Sequence, residues 1–465
     1  MTQPRNRFAR RNLIAAAAGA AGWLLGRRFV WGSTQAETPA DPQAIPWSRS
    51  VPVRYQADVA VIGGGIAGVA AACAAARSGA QVVLVERFAV TGGDLTAGGV
   101  ANFCGETTGQ GEVFDEIVAD LERFGAIAPY QHPYPKQSTR VFDHHILATV
   151  LQEILLRRGV KLLLHTPLAD VVRSDDGRLT AGILCGKSGP EAMEARQFID
   201  ASGEADVVRR AGFPVMKGRP QDGLQLPMSM MFFVRHVDEQ HAQAQLPEGW
   251  FEPVRAKEDL PMTSVWPNGP GSSALKVKIP GFDSTDTESF TAAEIRARRR
   301  VWEVLDYYQQ VEKKPWRYDG CSPQIGIREG ARAVGRYVLS VDDLRAGRTF
   351  DDAVARGVFY LDGHKPDDDK RTYILSKDQL HVPPYQIPLR SLIVRDAKNL
   401  LVAGRCFSAD QLALSSARVS TTCAMMGQAA GIAAAMSVEE GCDPFDLDPR
   451  DVRRVVEERG ARLEN

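Results

Sequence analysis

Three glycines, Gly63, Gly65 and Gly68, stand in the spacing G-x-G-x-x-G between an apolar run of strand length, residues 58–62, and an Ala-rich stretch, residues 69–78. Each has a separate task. Gly63 permits a tight turn, Gly65 lets backbone approach a pyrophosphate, and Gly68 lets helix and strand lie close together. Phosphates placed there meet unpaired N–H groups and the positive end of the helix dipole. A second β-branched run, residues 81–85, is closed by Glu86. Its carboxylate is placed to accept hydrogen bonds from an adenosine ribose, and its charge would repel a 2′-phosphate.

This pattern fits both NAD and FAD, and three further features favour FAD. The loop at residues 91–99 (TGGDLTAGG) comes where a nicotinamide domain would continue with a regular helix. Its glycine pair Gly92-Gly93 suggests backbone pressed against a flat ligand, with Thr96 free to hydrogen-bond it. Residues 197–201 form an apolar strand entering a second glycine turn at Gly203. Residues 399–403 form another, ending in Gly404-Arg405, and a helix rich in Gly and Ala comes next at 424–436, with Gly427 inside it. Such a helix can lie against other backbone, and its N-terminus suits the pyrimidine end of a flavin, which carries negative charge when reduced. Ser408 and Asp410 are expected to hold the ribityl or pyrophosphate portion of FAD.

Residues 63–86, the 91–99 loop, 199–206 (IDASGEAD), 326–335 (GIREGARAVG) and 399–435 together resemble the FAD-dependent oxidoreductases of the glutathione-reductase-like flavoprotein superfamily. The resemblance spans most of residues 57–440 and is weakest between 225 and 320. It departs at Ala331-Arg332, where family members often carry two arginines. It implies an α/β fold: a split Rossmann-like FAD-binding domain with an inserted α+β substrate (cap) domain that covers the isoalloxazine. It also places Arg328 and Glu329 near the flavin.

Flavin chemistry needs a substrate carbon beside N5 and groups that move protons and hold charge. No second G-x-G-x-x-G occurs, so a separate nicotinamide domain is missing. Arg328 is a candidate clamp for a substrate carboxylate or a stabiliser of reduced flavin. His381, just upstream of the returning FAD segment, is the candidate general base, because an imidazole titrates near neutral pH. Tyr385 is its companion. Cys104 lies just past the glycine loop and reads as a buried thiol. The seven cysteines contain no CxxC pair, so no metal or iron–sulfur site is expected.

The elements needed to position these groups are legible as well. Helix 143–158 and strand 160–164 continue the first domain, and 169–172, 180–185 and 193–199 read as a β-meander. Alternating patterns at 228–234 and 274–279 suggest a sheet-based cap, and 291–310 reads as one long helix. The expected boundaries are 1–36 export signal, 37–56 linker, 57–225 FAD domain, 226–390 cap, 391–440 returning FAD segment and 441–465 C-terminal helix and tail. In the first of these, Arg10-Arg11 precedes an apolar run shorter than the ~20 residues of a membrane span, a layout that resembles a twin-arginine export signal. Export of a folded chain to the periplasm or beyond would allow a cofactor to be inserted first. A net charge of −1 over 465 residues argues against a nucleic-acid partner. The sequence thus points to an exported FAD enzyme moving a hydride from a small polar hydroxyl- or amine-bearing substrate to flavin N5. Its electrons would leave to oxygen, a quinone or a periplasmic carrier. The alternatives are reduction of a carboxylate-bearing carbon–carbon double bond, or a flavin-binding partner protein without turnover.

Overall fold

The computed structural model describes residues 45–129, 139–242 and 246–464, so the export signal read at 1–36 lies outside the described residues. Contacts divide the chain after Ser50, and every strand and helix among the described residues belongs to the unit that begins at Val51. Strand β1 (Val53–Ile62), helix α1 (Ile66–Arg77) and strand β2 (Val82–Val85) come first. Helix α2 (His144–Arg157) leads into β3 (Lys161–Leu163), and β4 (Leu168–Arg173), β5 (Leu179–Gly186) and β6 (Gly189–Asp200) form the expected meander. β1 pairs in parallel with β2 on one side and with β6 on the other, and β2 pairs in parallel with β3. Every residue of β2 is buried, as a parallel strand covered on both faces requires. Strand β1 begins at Val53, inside the stretch expected to be linker, because its first residues already pair with β6.

The second sheet is built from β7 (Met228–His236), β8 (Thr263–Pro267), β9 (Ser272–Ile279) and, after helix α3 (Thr287–Gln310), β10 (Trp316–Cys321). Its order is β8-β9-β7-β10, all antiparallel. Side chains alternate across a strand, and here the alternation is decisive. Met228, Met230, Phe232 and Val234 pack with Leu275, Val277 and Ile279 against Ala293, Ala297 and Val301 of α3. The intervening Ser229, Met231 and Lys276 face the other way, toward the dinucleotide half. The stretch 226–390, expected to be one cap, therefore divides. Residues 228–325 hold their own core, whereas Ala331, Leu344, Ala353, Tyr385 and Ile387 pack into the core of the dinucleotide half.

The chain returns through β11 (Leu400–Val402), α4 (Gln411–Ala417) and α5 (Ser420–Glu440). β11 pairs in parallel with the last residues of β6, so the sheet is completed by residues far apart in sequence. Both α1 and α5 are buried almost all round, and small residues let their backbones touch. A Cβ on Gly427 would lie 2.1 Å from the Ala67 carbonyl oxygen, and one on Gly431 would lie 2.2 Å from that of Ala71. Lys278, on β9, donates to the carbonyls of Asp368 (2.6 Å) and Arg371 (2.7 Å), tying the 362–371 segment to the cap sheet.

Replacing Gly427 by Ala should cost about 1–3 kcal/mol, the usual penalty for overpacking, and should loosen retained flavin because Ala67 also lines the large cavity beneath the cap sheet. Urea unfolding and the flavin-to-protein absorbance ratio measure both; unchanged values would show that the helices can part freely.

Candidate active site

A cavity of about 680 Å³ runs from the glycine turn after β1, beneath the cap sheet, to the N-terminus of α5. At its first end Gly63 has φ +102 and packs on Ala201, and Gly68 sits so close to the Gly63 carbonyl that a Cβ would lie 1.8 Å from its oxygen. Gly65 differs: a Cβ there would meet nothing within 4 Å, so the α1 N-terminus is open to the cavity. Glu86 fastens the turn, accepting from the Gly64 amide (2.6 Å) and the Phe88 amide (2.8 Å). Burial raises its pKa above the ordinary carboxylate value. The 91–99 loop closes over the turn through the Gly92 amide, which donates to Gly64 O at 2.7 Å. Arg405, on the loop after β11, pairs with Glu204 at 2.5 Å. Burial works against its charge, but Glu204 outweighs it and the guanidinium stays ionised.

The far end is lined by cations. Lys276, Arg328 and Arg418 all reach the cavity. Arg328 donates through Nη1 to Pro227 O (2.8 Å) and to Ser229 Oγ (2.6 Å), and burial followed by the neighbouring Arg418 lowers its pKa to about 10. Arg418 donates to Asp362 at 2.8 Å, and His364 Nε2 lies 3.1 Å from the other oxygen of that carboxylate. Burial would raise Asp362, but His364 and the two arginines hold it well below the usual carboxylate range. Burial followed by the charge of Arg328 depresses Lys276 to about 8, so a substantial neutral fraction exists near physiological pH. A desolvated lysine of this kind is a competent base.

The residues expected from sequence fall into two groups. Gly63, Gly65, Glu86, Gly92, Gly93, Gly203, Gly404, Arg405 and Arg328 line this one cavity, as does Cys104, whose thiol burial pushes up to about 11. The others hold the structure instead. Thr96 donates to the Thr91 carbonyl at 2.6 Å, inside its own loop. Gly68 and Gly427 serve close backbone approach. Ser408 is fully buried away from the cavity, and Asp410 caps α4, accepting from the amides of Ala413 and Val341. Glu329 is buried, pairs with Arg332 at 3.2 Å and accepts from Leu226 N and Gln411 Nε2, which removes it from proton transfer. The Tyr385 hydroxyl bonds Ser416 at 2.7 Å within the core. His381 is exposed and does not line the cavity, in contrast to the place expected for the base. Asp94, Lys276, Asp362 and Arg418 were not anticipated. Lysines at alternate positions of an otherwise apolar strand (SSALKVKI) are the signal that would have found Lys276.

A family model described as FAD dependent oxidoreductase matches residues 58–456. The chain is a member of the FAD-dependent oxidoreductases. The cavity fits that cofactor: an open cradle at Gly65, a carboxylate at the end of β2, and the buried Nη1 of Arg405 and Oγ of Ser420, which have no hydrogen-bond partner. These groups, with the Gly92-Gly93 loop and the Gly203 and Gly404 turns, would hold FAD. No curated protein matches this oxidoreductase. Solved structures with some likeness to this chain include a geranylgeranyl bacteriochlorophyll reductase-like protein from Thermoplasma acidophilum (12% identity, TM-score 0.46, covering 88% of this chain and 85% of that one). The p-nitrophenol 4-monooxygenase of Pseudomonas putida DLL-E4 is another (14%, TM-score 0.42, 88% and 87% covered). A third is a myxobacterial chondrochloren halogenase (13%, TM-score 0.45, 87% and 79% covered).

Two outcomes check this assignment. Glu204→Gln should cost about 3 kcal/mol by leaving the buried Arg405 charge short of its partner, read by chemical denaturation of the flavin-free protein. His381→Ala should leave flavin content and turnover within about twofold, as for an ordinary surface position; a loss of two orders of magnitude would restore that histidine to the chemistry.

Proposed function

We propose that this flavoenzyme acts on a carboxylate-bearing substrate, exchanging a hydride with flavin while Lys276 moves the accompanying proton. The observation that carries the proposal is the convergence of Lys276, Arg328 and Arg418 on one end of the cavity, where the carboxyl groups of Asp362 and Asp94 offset only part of their charge. Two guanidinium groups beside each other in a desolvated site favour an anion, and a carboxylate matches their planar donors. Bound FAD supplies a two-electron centre that accepts or returns a hydride. Arg328 and Arg418 orient the substrate by its carboxylate. Lys276, depressed to about 8, takes the proton of a hydroxyl or amine as that carbon is oxidised.

The same residues serve the reverse reaction. Reduction of a double bond next to the carboxylate needs a proton donor, and protonated Lys276 is one. The two directions differ in the sign of their pH dependence. As a base Lys276 must be neutral, so kcat/KM should rise as pH increases through about 8. As an acid it must be charged, so kcat/KM should fall across the same interval. Lys276→Met should remove this limb and lower kcat by about 10²–10⁴-fold, whereas Arg328→Gln should act chiefly on KM. A profile for Lys276→Met that keeps the wild-type limb would assign the proton to another group.

Export as a folded holoprotein belongs to the same proposal, supported by Arg10-Arg11 and the short apolar run after it. Oxygen, a quinone or a periplasmic carrier would then take the electrons. Arg10→Lys together with Arg11→Lys should leave the flavoprotein in the cytoplasm, as fractionation of cells would show. No helix among the described residues is long and apolar enough to cross a membrane.

A further inference from the structure

Beside the three cations the cavity has an apolar wall on the cap sheet. β8 is an edge strand, and its Ser264, Val265 and Trp266 line the cavity along with Met231 of β7. The register fixes how these residues meet Lys276. Ser264 pairs with Lys276 and Trp266 with Ala274, while Met231 pairs with Lys276 from the other side. Trp266 is therefore the diagonal neighbour of Lys276 on the same face of the sheet, a spacing of about 7–8 Å that aromatic and long side chains span. Its direct partner is alanine, which leaves the indole uncovered from within the sheet. Trp316, by contrast, stacks on His236, and Trp302 packs at a tilt against Tyr318. No ring among the described residues stacks on Trp266, which is half-buried at the cavity.

We infer that Trp266 determines specificity by taking the flat apolar body of the substrate, so that the substrate class is an aryl or similarly planar carboxylic acid. The inference rests on the carboxylate reading of the Lys276, Arg328 and Arg418 cluster. An acid of two or three carbons would satisfy the cations and leave the indole facing water. A planar body attached to the carboxylate covers the indole face, where stacking adds to the area removed from water. On this inference the hydroxyl- or amine-bearing substrate also carries a planar body.

Titration of the oxidised holoprotein with benzoate and with acetate, followed by the change in flavin absorbance, tests the inference. Benzoate should bind at least about tenfold more tightly than acetate, Trp266→Ala should abolish most of that preference, and acetate should change by less than about twofold. Trp266→Phe should retain the preference. Trp266→Leu, which keeps bulk without a ring, is read the same way as the alanine variant should that one lose flavin. Equal affinities for the two acids, or a benzoate preference that survives both replacements, would overturn the role of Trp266. Arg328→Gln separates the two levels. Loss of both acids in that variant leaves the carboxylate site standing whatever Trp266 does, and unchanged binding of both acids would remove the carboxylate site itself.

Discussion

Backbone must touch backbone around helix α1, and the rest of the site depends on that constraint. On one side the helix meets its own glycine turn, where Gly63 and Gly68 leave no room for a Cβ. On the other it meets α5, where Gly427 and Gly431 press on the carbonyls of Ala67 and Ala71. Close packing of this kind gains dispersion contacts and fixes position to tenths of an ångström. It also spares the open N-terminus, since Gly65 faces empty space. The phosphate cradle and the N-terminus of α5 are thereby held at a set separation by points where glycine meets the backbone of an alanine.

The far end of the cavity is governed by desolvation. Lys276, Arg328, Arg418 and Asp362 are drawn from β9, from the segment after β10, from the loop before α5 and from the 362–371 segment. Gathering three cations costs more once water is excluded, and Asp362 offsets part of that cost by its ion pair with Arg418. Lys278 contributes by fastening the 362–371 segment to the same strand that carries Lys276. A charge shared among four segments is a strong reporter of their relative placement, because each pKa depends on the distance to the rest.

What was legible in the sequence was what local backbone chemistry dictates. The glycine turn, Glu86, the 91–99 loop and the turns at Gly203 and Gly404-Arg405 all reached the cavity, since in each a residue type answers a demand made within a few residues. Helix α2 and the meander were readable for the same reason. Side-chain function was less legible. His381 was chosen by residue type and position in the chain, and its exposure shows that nearness in sequence to the returning FAD segment does not bring a loop into the pocket. Glu329 sits next to a true lining residue, Arg328, yet successive residues point apart, and its carboxylate turns to Arg332 and Gln411. Lys276, Asp362 and Arg418 owe their meeting to the pairing of β7 with β9 and to long-range docking, which no local pattern encodes.

Strand β11 docks on β6 although some two hundred residues separate them. During synthesis the chain emerges N-terminus first, so Gly404, Arg405, Arg418, Val419, Ser420 and Cys423 leave the ribosome after the rest of the cavity lining. Until then the nucleotide cradle has a floor and one side but no closing wall. The complete cofactor cavity in this architecture consequently exists only once the last third of the polypeptide has been made, and not when its first half has folded.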